Sequence, residues 1–88
     1  MEAIKSVWFK DDKIFVELAN LIVLGTPVEW YPNLSKGNPE QRENYIIKGN
    51  GRWIYWEELD EDLSLDGFLS DINHSIAHFS DYLEDGVS

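Results

Sequence analysis

The chain has 88 residues and a mass of 10.2 kDa, enough for one small core and too little for a two-domain cofactor enzyme. Seventeen acidic against seven basic residues give a formal charge of −10, which disfavours a direct hold on a nucleic-acid phosphate backbone. The chain is nevertheless 43% apolar and 14% aromatic, too rich in core-forming residues for a disordered acidic segment. With no cysteine, disulfides, thiolate zinc ligands and thiol nucleophiles are excluded.

In chain order, Ile4 to Phe9 leads through a turn signal at Asp11-Asp12 into Lys13-Ile14-Phe15-Val16-Glu17-Leu18. The alternation places Ile14, Val16 and Leu18 on one face of a strand and Phe15 and Glu17 on the other. Ala19-Asn20 reads as a tight turn into a third strand, Leu21 to Leu24, which Gly25-Thr26 breaks. A three-stranded antiparallel meander follows, since a lone hairpin is barely stable. Thr26 as cap with Pro27 in the first turn predicts a short helix, ended by Pro32. Asn38-Pro39 repeats the signal and predicts a helix to about Glu43. The stretches 45–48 and 53–56 flank a Gly49-Asn50-Gly51 turn and read as a short hairpin or as irregular extended segments.

Ser64 is placed to cap a final helix, with Asp66 favourably in its first turn. Leu65, Leu69, Ile72, Ile76, Phe79 and Leu83 are spaced four, three, four, three, four, a sustained apolar stripe along that helix. The fold expected is therefore α+β: a β-meander with short helices and a C-terminal amphipathic helix.

Charge is unevenly placed along this frame. Residues 1–56 carry all seven cations and seven anions, whereas residues 57–88 carry ten anions and no Lys or Arg. Such asymmetry marks an acidic surface, either a solvated face or one presented to a partner.

The runs Pro27-Val28-Glu29-Trp30-Tyr31-Pro32-Asn33-Leu34, Asn38-Pro39-Glu40-Gln41-Arg42, Gly49-Asn50-Gly51 and Ile54 to Ser64 together carry a family pattern. Over about residues 4–70 the chain resembles the bacterial domain-of-unknown-function family 2442. The resemblance implies a small α+β unit with a three-stranded antiparallel sheet and no established enzymatic activity. It also implies a partner protein, in the manner of a toxin–antitoxin pair. The chain departs from the family pattern at Tyr55, commonly His, and at Glu57, commonly Pro, so any chemical role of that His is missing. Residues 1–71 are read as the domain and 72–88 as a C-terminal helical extension.

The polar motifs are weighed on their chemistry. In the run Glu57, Glu58, Asp60, Glu61, Asp62, a calcium loop starting at Asp60 would put Leu65 where the sharp turn needs glycine. Carboxylates preceding a helix N-terminus are the simpler reading, with Leu59 and Leu63 as apolar anchors. His74 and His78 share a helix face, but the general-base Glu of a zinc-protease helix is absent between them. Trp30, Tyr31, Trp53, Tyr55 and Trp56 are read as core, the alternative being a sugar-stacking platform. Trp53 and Tyr55 face opposite to Ile54 and Trp56, so one pair lies at a surface unless both faces are covered. No Gly-x-Ser-x-Gly elbow, Walker lysine or motif-placed His is present, and no enzyme, metal or cofactor is expected.

The expected function is a non-enzymatic protein–protein interaction module of a bacterial cytoplasm, homodimeric through Ile72, Ile76, Phe79 and Leu83. The alternative is an acidic inhibitor or antitoxin-like protein, a nucleic-acid mimic whose Glu57, Glu58, Asp60, Glu61 and Asp62 meet a basic partner protein. No segment reaches bilayer-spanning length and the N-terminus has no apolar signal run, so no membrane contact is expected.

Overall fold

A computed structural model describes the backbone of residues 3–87 and the side chains of residues 3–76. Strands β1 (Ile4–Lys10), β2 (Lys13–Leu18) and β3 (Val23–Pro27) form one antiparallel sheet in sequential order. A 3-10 turn at Val28–Trp30 and helices α1 (Pro32–Ser35) and α2 (Pro39–Glu43) follow. Strands β4 (Ile46–Lys48), β5 (Trp53–Trp56) and β6 (Glu61–Ser64) make a second antiparallel sheet, and helix α3 (Leu65–Val87) closes the chain. The fold is α+β, with the expected meander and a second sheet beyond it.

The first sheet follows the period-two pattern. Ile14 and Val16 are fully buried and Leu18 nearly so, while Phe15 and Glu17 lie on the outer face, where Ser6 donates a hydrogen bond to Glu17 at 3.1 Å. The third strand differs from expectation. Leu21 takes a φ of 73° in the turn, so the strand begins at Val23 and continues through Gly25 and Thr26 to Pro27. Glycine stands inside that strand for a steric reason. Gly25 pairs with Phe15, and a Cβ there would fall 2.7 Å from the Phe15 ring, which itself stacks on Trp8 at 5.7 Å.

Thr26 does not cap a helix. Its side chain is buried in the strand, and the 3-10 turn after it starts from an extended Pro27 with no side-chain cap. Pro32 acts as its position predicts: the 3-10 turn stops at Trp30 and Tyr31, ahead of the proline, is extended, while Pro32 itself occupies the first turn of α1, where its missing N–H is harmless. Asn38 behaves as its sequence predicts. Its side chain accepts from Gln41 N while Gln41 reaches back to Asn38 N, a reciprocal cap on α2.

The two sheets share one core. Ile4, Val7, Ile14, Val16 and Leu18 from the first meet Ile54, Trp56 and Leu63 from the second, with Val28, Tyr31, Leu34, Leu65 and Phe68 completing it. Backbone hydrogen bonds stitch the join: Ile4 N donates to Gly51 O, and Leu65 N to Arg52 O, both at 2.8 Å. Gly51, at φ 86°, lies so near β1 that a Cβ would stand 2.6 Å from that of Ala3. Trp56 is fully buried, its indole donating to Arg42 O at 2.9 Å and meeting Phe9 edge-on at 6.2 Å. Arg42 lies over the Phe9 ring and donates to Leu34 O and Ser35 O, holding the end of α1.

Ser64 caps α3 as the sequence predicts, its hydroxyl accepting from Gly67 N at 2.9 Å. Arg52 forms an ion pair with Asp66 in the first turn at 3.0 Å. The helix docks through Leu65 and Phe68, both buried, and through a partly buried Ile72.

Candidate functional site

Two surfaces carry the residues singled out by sequence. The first is the acidic run. It is not a lead-in coil: Glu57 to Asp60 form a turn, closed by Asp60 N donating to Glu57 O at 3.2 Å, with Asp60 at φ 49°. Glu61 to Ser64 then form the outer strand of the second sheet, with Asp62 opposite Tyr55 and Leu63 opposite Ile54. Leu59 and Leu63 anchor the run, Leu63 in the core and Leu59 packed against it. Strand alternation turns their acidic neighbours outward. Glu57, Glu58, Asp60 and Asp62 are exposed and Glu61 is partly buried. Burial pushes the Glu61 carboxyl up from its ordinary range, and the neighbouring Asp62 and Asp60 charges add to it.

The second surface is the stripe on α3, which is divided. Phe68, and not Leu69, enters the core: Leu69 is 37% exposed and Ile76 58% exposed, while Ile72 leans on the domain. Spacing of three and then four (65, 68, 72) marks the docked face, a signal present in the sequence beside the stripe through Leu69. The side chains of Phe79 and Leu83, and of His78, lie outside the described residues.

The aromatics separate. Tyr31 and Trp56 are core residues, whereas Trp30 and Trp53 are 39% and 47% exposed. Tyr55 is partly covered, with the Lys48 ammonium 4.9 Å from its ring centroid. Sequence reasoning missed a link between the 3-10 turn and α3: the Tyr31 hydroxyl donates to Asp71 Oδ2 at 3.2 Å. Burial pushes the Tyr31 phenol up to about 12, with the charges of Asp71 and Glu61 adding to the effect. The Thr26 hydroxyl is near enough to oppose that shift without reaching hydrogen-bond geometry. No signal in the sequence linked these positions, 40 residues apart.

Among the described residues no three His, Asp or Glu converge in a metal-holding cluster, and no helix is long and apolar enough to cross a membrane.

The architecture defines a small acidic α+β domain built of two three-stranded sheets and a terminal helix. Residues 4–74 match the family described as protein of unknown function DUF2442, and the chain belongs to that family. It is similar to the crystal structure of a protein of unknown function from Rhodospirillum rubrum ATCC 11170. The two share 25% identity and a TM-score of 0.70, over 81% of this chain and 88% of that one. The comparison with curated proteins finds no match.

Proposed function

We propose that the protein is a non-enzymatic interaction module that pairs with a second copy of itself through the apolar face of α3. The observation that carries this reading is the exposure of Ile76, at 58%, beyond a helix face whose earlier residues, Leu65 and Phe68, are buried in the core. The sequence repeats the same face at Phe79 and Leu83. A helix whose apolar face outruns its own domain gains by covering that face, and a self-complementary helix supports a two-fold contact. Light scattering of the full chain at tens of micromolar should give a dimer. Ile76→Asp, at an exposed position, should yield a folded monomer, and truncation after Asp71 should do the same. A full-length monomer under those conditions overturns the proposal.

One observation favours a second reading, an acidic inhibitor or antitoxin-like protein. Glu57, Glu58, Asp60 and Asp62 are exposed together on the turn and outer strand of the second sheet. That surface is complementary to a basic partner protein.

A further inference from the structure

Beside the acidic turn and the apolar face, α3 borders a third feature that neither reading uses. An open groove of about 770 Å³ separates Trp30 from the helix, lined by Trp30, Ser70, Asp71, His74 and Ser75. One wall is the Trp30 indole, 39% exposed. Its neighbour Tyr31 is core and fixed to Asp71 by the 3.2 Å hydrogen bond. The groove is therefore held at both ends: the chain that presents the aromatic wall is tied to the carboxylate opposite.

That bond engages Oδ2 of Asp71. Oδ1 has no hydrogen-bond partner among the described residues, and no Lys or Arg side chain is among those lining the groove. The groove's own charge is the Asp71 carboxylate, with His74 the other titratable side chain on its wall. The Tyr31 phenol registers that field, being held up in part by the charges of Asp71 and Glu61. An aromatic face beside a carboxylate with an open acceptor suits one chemistry above others. A planar cation stacks on the indole and donates N–H bonds to the carboxylate in the same pose. Ammonium, a point charge with no plane, gains only part of this. Anions are opposed by Asp71, and a neutral sugar would leave the carboxylate's charge unanswered.

We infer that the groove between Trp30 and Asp71 is a binding site for a guanidinium group, with the plane of the group on the indole and its N–H groups directed to Asp71. On the helix wheel Asp71 is turned about 140° from Ile76, the exposed residue that carries the pairing proposal. Occupancy of the groove is read at Trp30 and pairing by the oligomeric state, so the two are tested separately.

The test is titration of the full chain, with its tryptophans labelled with nitrogen-15, followed by the indole N–H resonances in NMR. The Trp30 signal is assigned by its disappearance in Trp30→Leu. N-acetyl-arginine amide should shift it progressively, with a dissociation constant on the order of millimolar for so open a site. The amide of N-acetyl-citrulline, nearly isosteric and uncharged, should not. Asp71→Asn keeps an acceptor for Tyr31 and should weaken binding on the order of tenfold, with the remaining spectrum unchanged. Methylguanidinium is the second arm. Equal binding by it points to a free small cation as the natural occupant, and stronger binding by the capped amino acid points to an arginine side chain of a protein. A Trp30 signal unmoved by either guanidinium, moved equally by citrulline, or moved equally in Asp71→Asn overturns the assignment.

Discussion

At the residue scale, Tyr31 links core and surface. Its ring is 8% exposed, stacked toward Phe68 at 6.5 Å between centroids, while its hydroxyl holds Asp71. Burial, with the negative charges nearby, raises its pKa from 10.0 to about 12. A group whose folded value lies above its unfolded one stabilises the fold below the unfolded value and loses that contribution as pH rises through the folded one. The protein should therefore lose stability between pH 10 and about 12. The loss should be about 1–2 kcal/mol, because the exposed Asp71 end of the bond is screened by solvent. Denaturant titrations at pH 9 and pH 11.5 should show this loss in the native protein and a much smaller one in Tyr31→Phe. An identical pH dependence in both would place the alkaline sensitivity elsewhere. Asp71→Asn removes one of the raising charges, so it should bring the Tyr31 phenol down in ultraviolet titration.

At the scale of elements, the start of α3 rests on a compact arrangement. The Ser64 hydroxyl accepts from Gly67 N, and a Cβ at residue 67 would lie 2.9 Å from that same oxygen. Ser64→Ala should cost about 1 kcal/mol by leaving a first-turn N–H without its acceptor. Gly67→Ala alone gains helix propensity of about 1 kcal/mol but crowds the cap, so its net effect should be near zero. In the Ser64→Ala background the crowding is relieved and Gly67→Ala should stabilise. A double-mutant cycle by chemical denaturation reads this coupling, and strict additivity would contradict it. The cap was legible because Ser before an apolar helix has a local meaning. So were the alternation of β2 and the Asn38 cap, whose partners lie within a few residues; the return bond from Gln41 was not read. Strand β6 was not, since Glu61 and Asp62 disfavour strands intrinsically and only pairing with β5 fixes them. Phe68 was missed in favour of Leu69 because both spacings fit a helix face, and contact with Tyr31 and Leu65 decides between them. The Trp30 groove was illegible for the same reason: its walls are remote in sequence and meet only through the fold.

At the scale of the whole molecule, charge and apolar surface make opposing demands. Each copy carries −10, and that net charge sits within residues 57–88, which include α3. Pairing through the α3 face brings two acidic helices together, so association must overcome like-charge repulsion across a distance that salt screens. The proposed dimer should thus tighten as salt rises, on the order of several-fold between about 50 and 500 mM, the range over which the Debye length falls from about 14 to 4 Å. An acidic surface held by a basic partner predicts the reverse sign: complementary charges are screened and the complex loosens. The variant carrying Asp60→Asn, Glu61→Gln and Asp62→Asn sharpens the contrast. It should strengthen self-association at low salt and weaken any complex with a basic protein. Sedimentation equilibrium of both forms across that salt range measures the sign directly. A self-association that loosens with salt would place ion pairs in the contact. The nearest cations would then have to come from residues 1–56 of the second copy, and the helix-to-helix arrangement would be wrong.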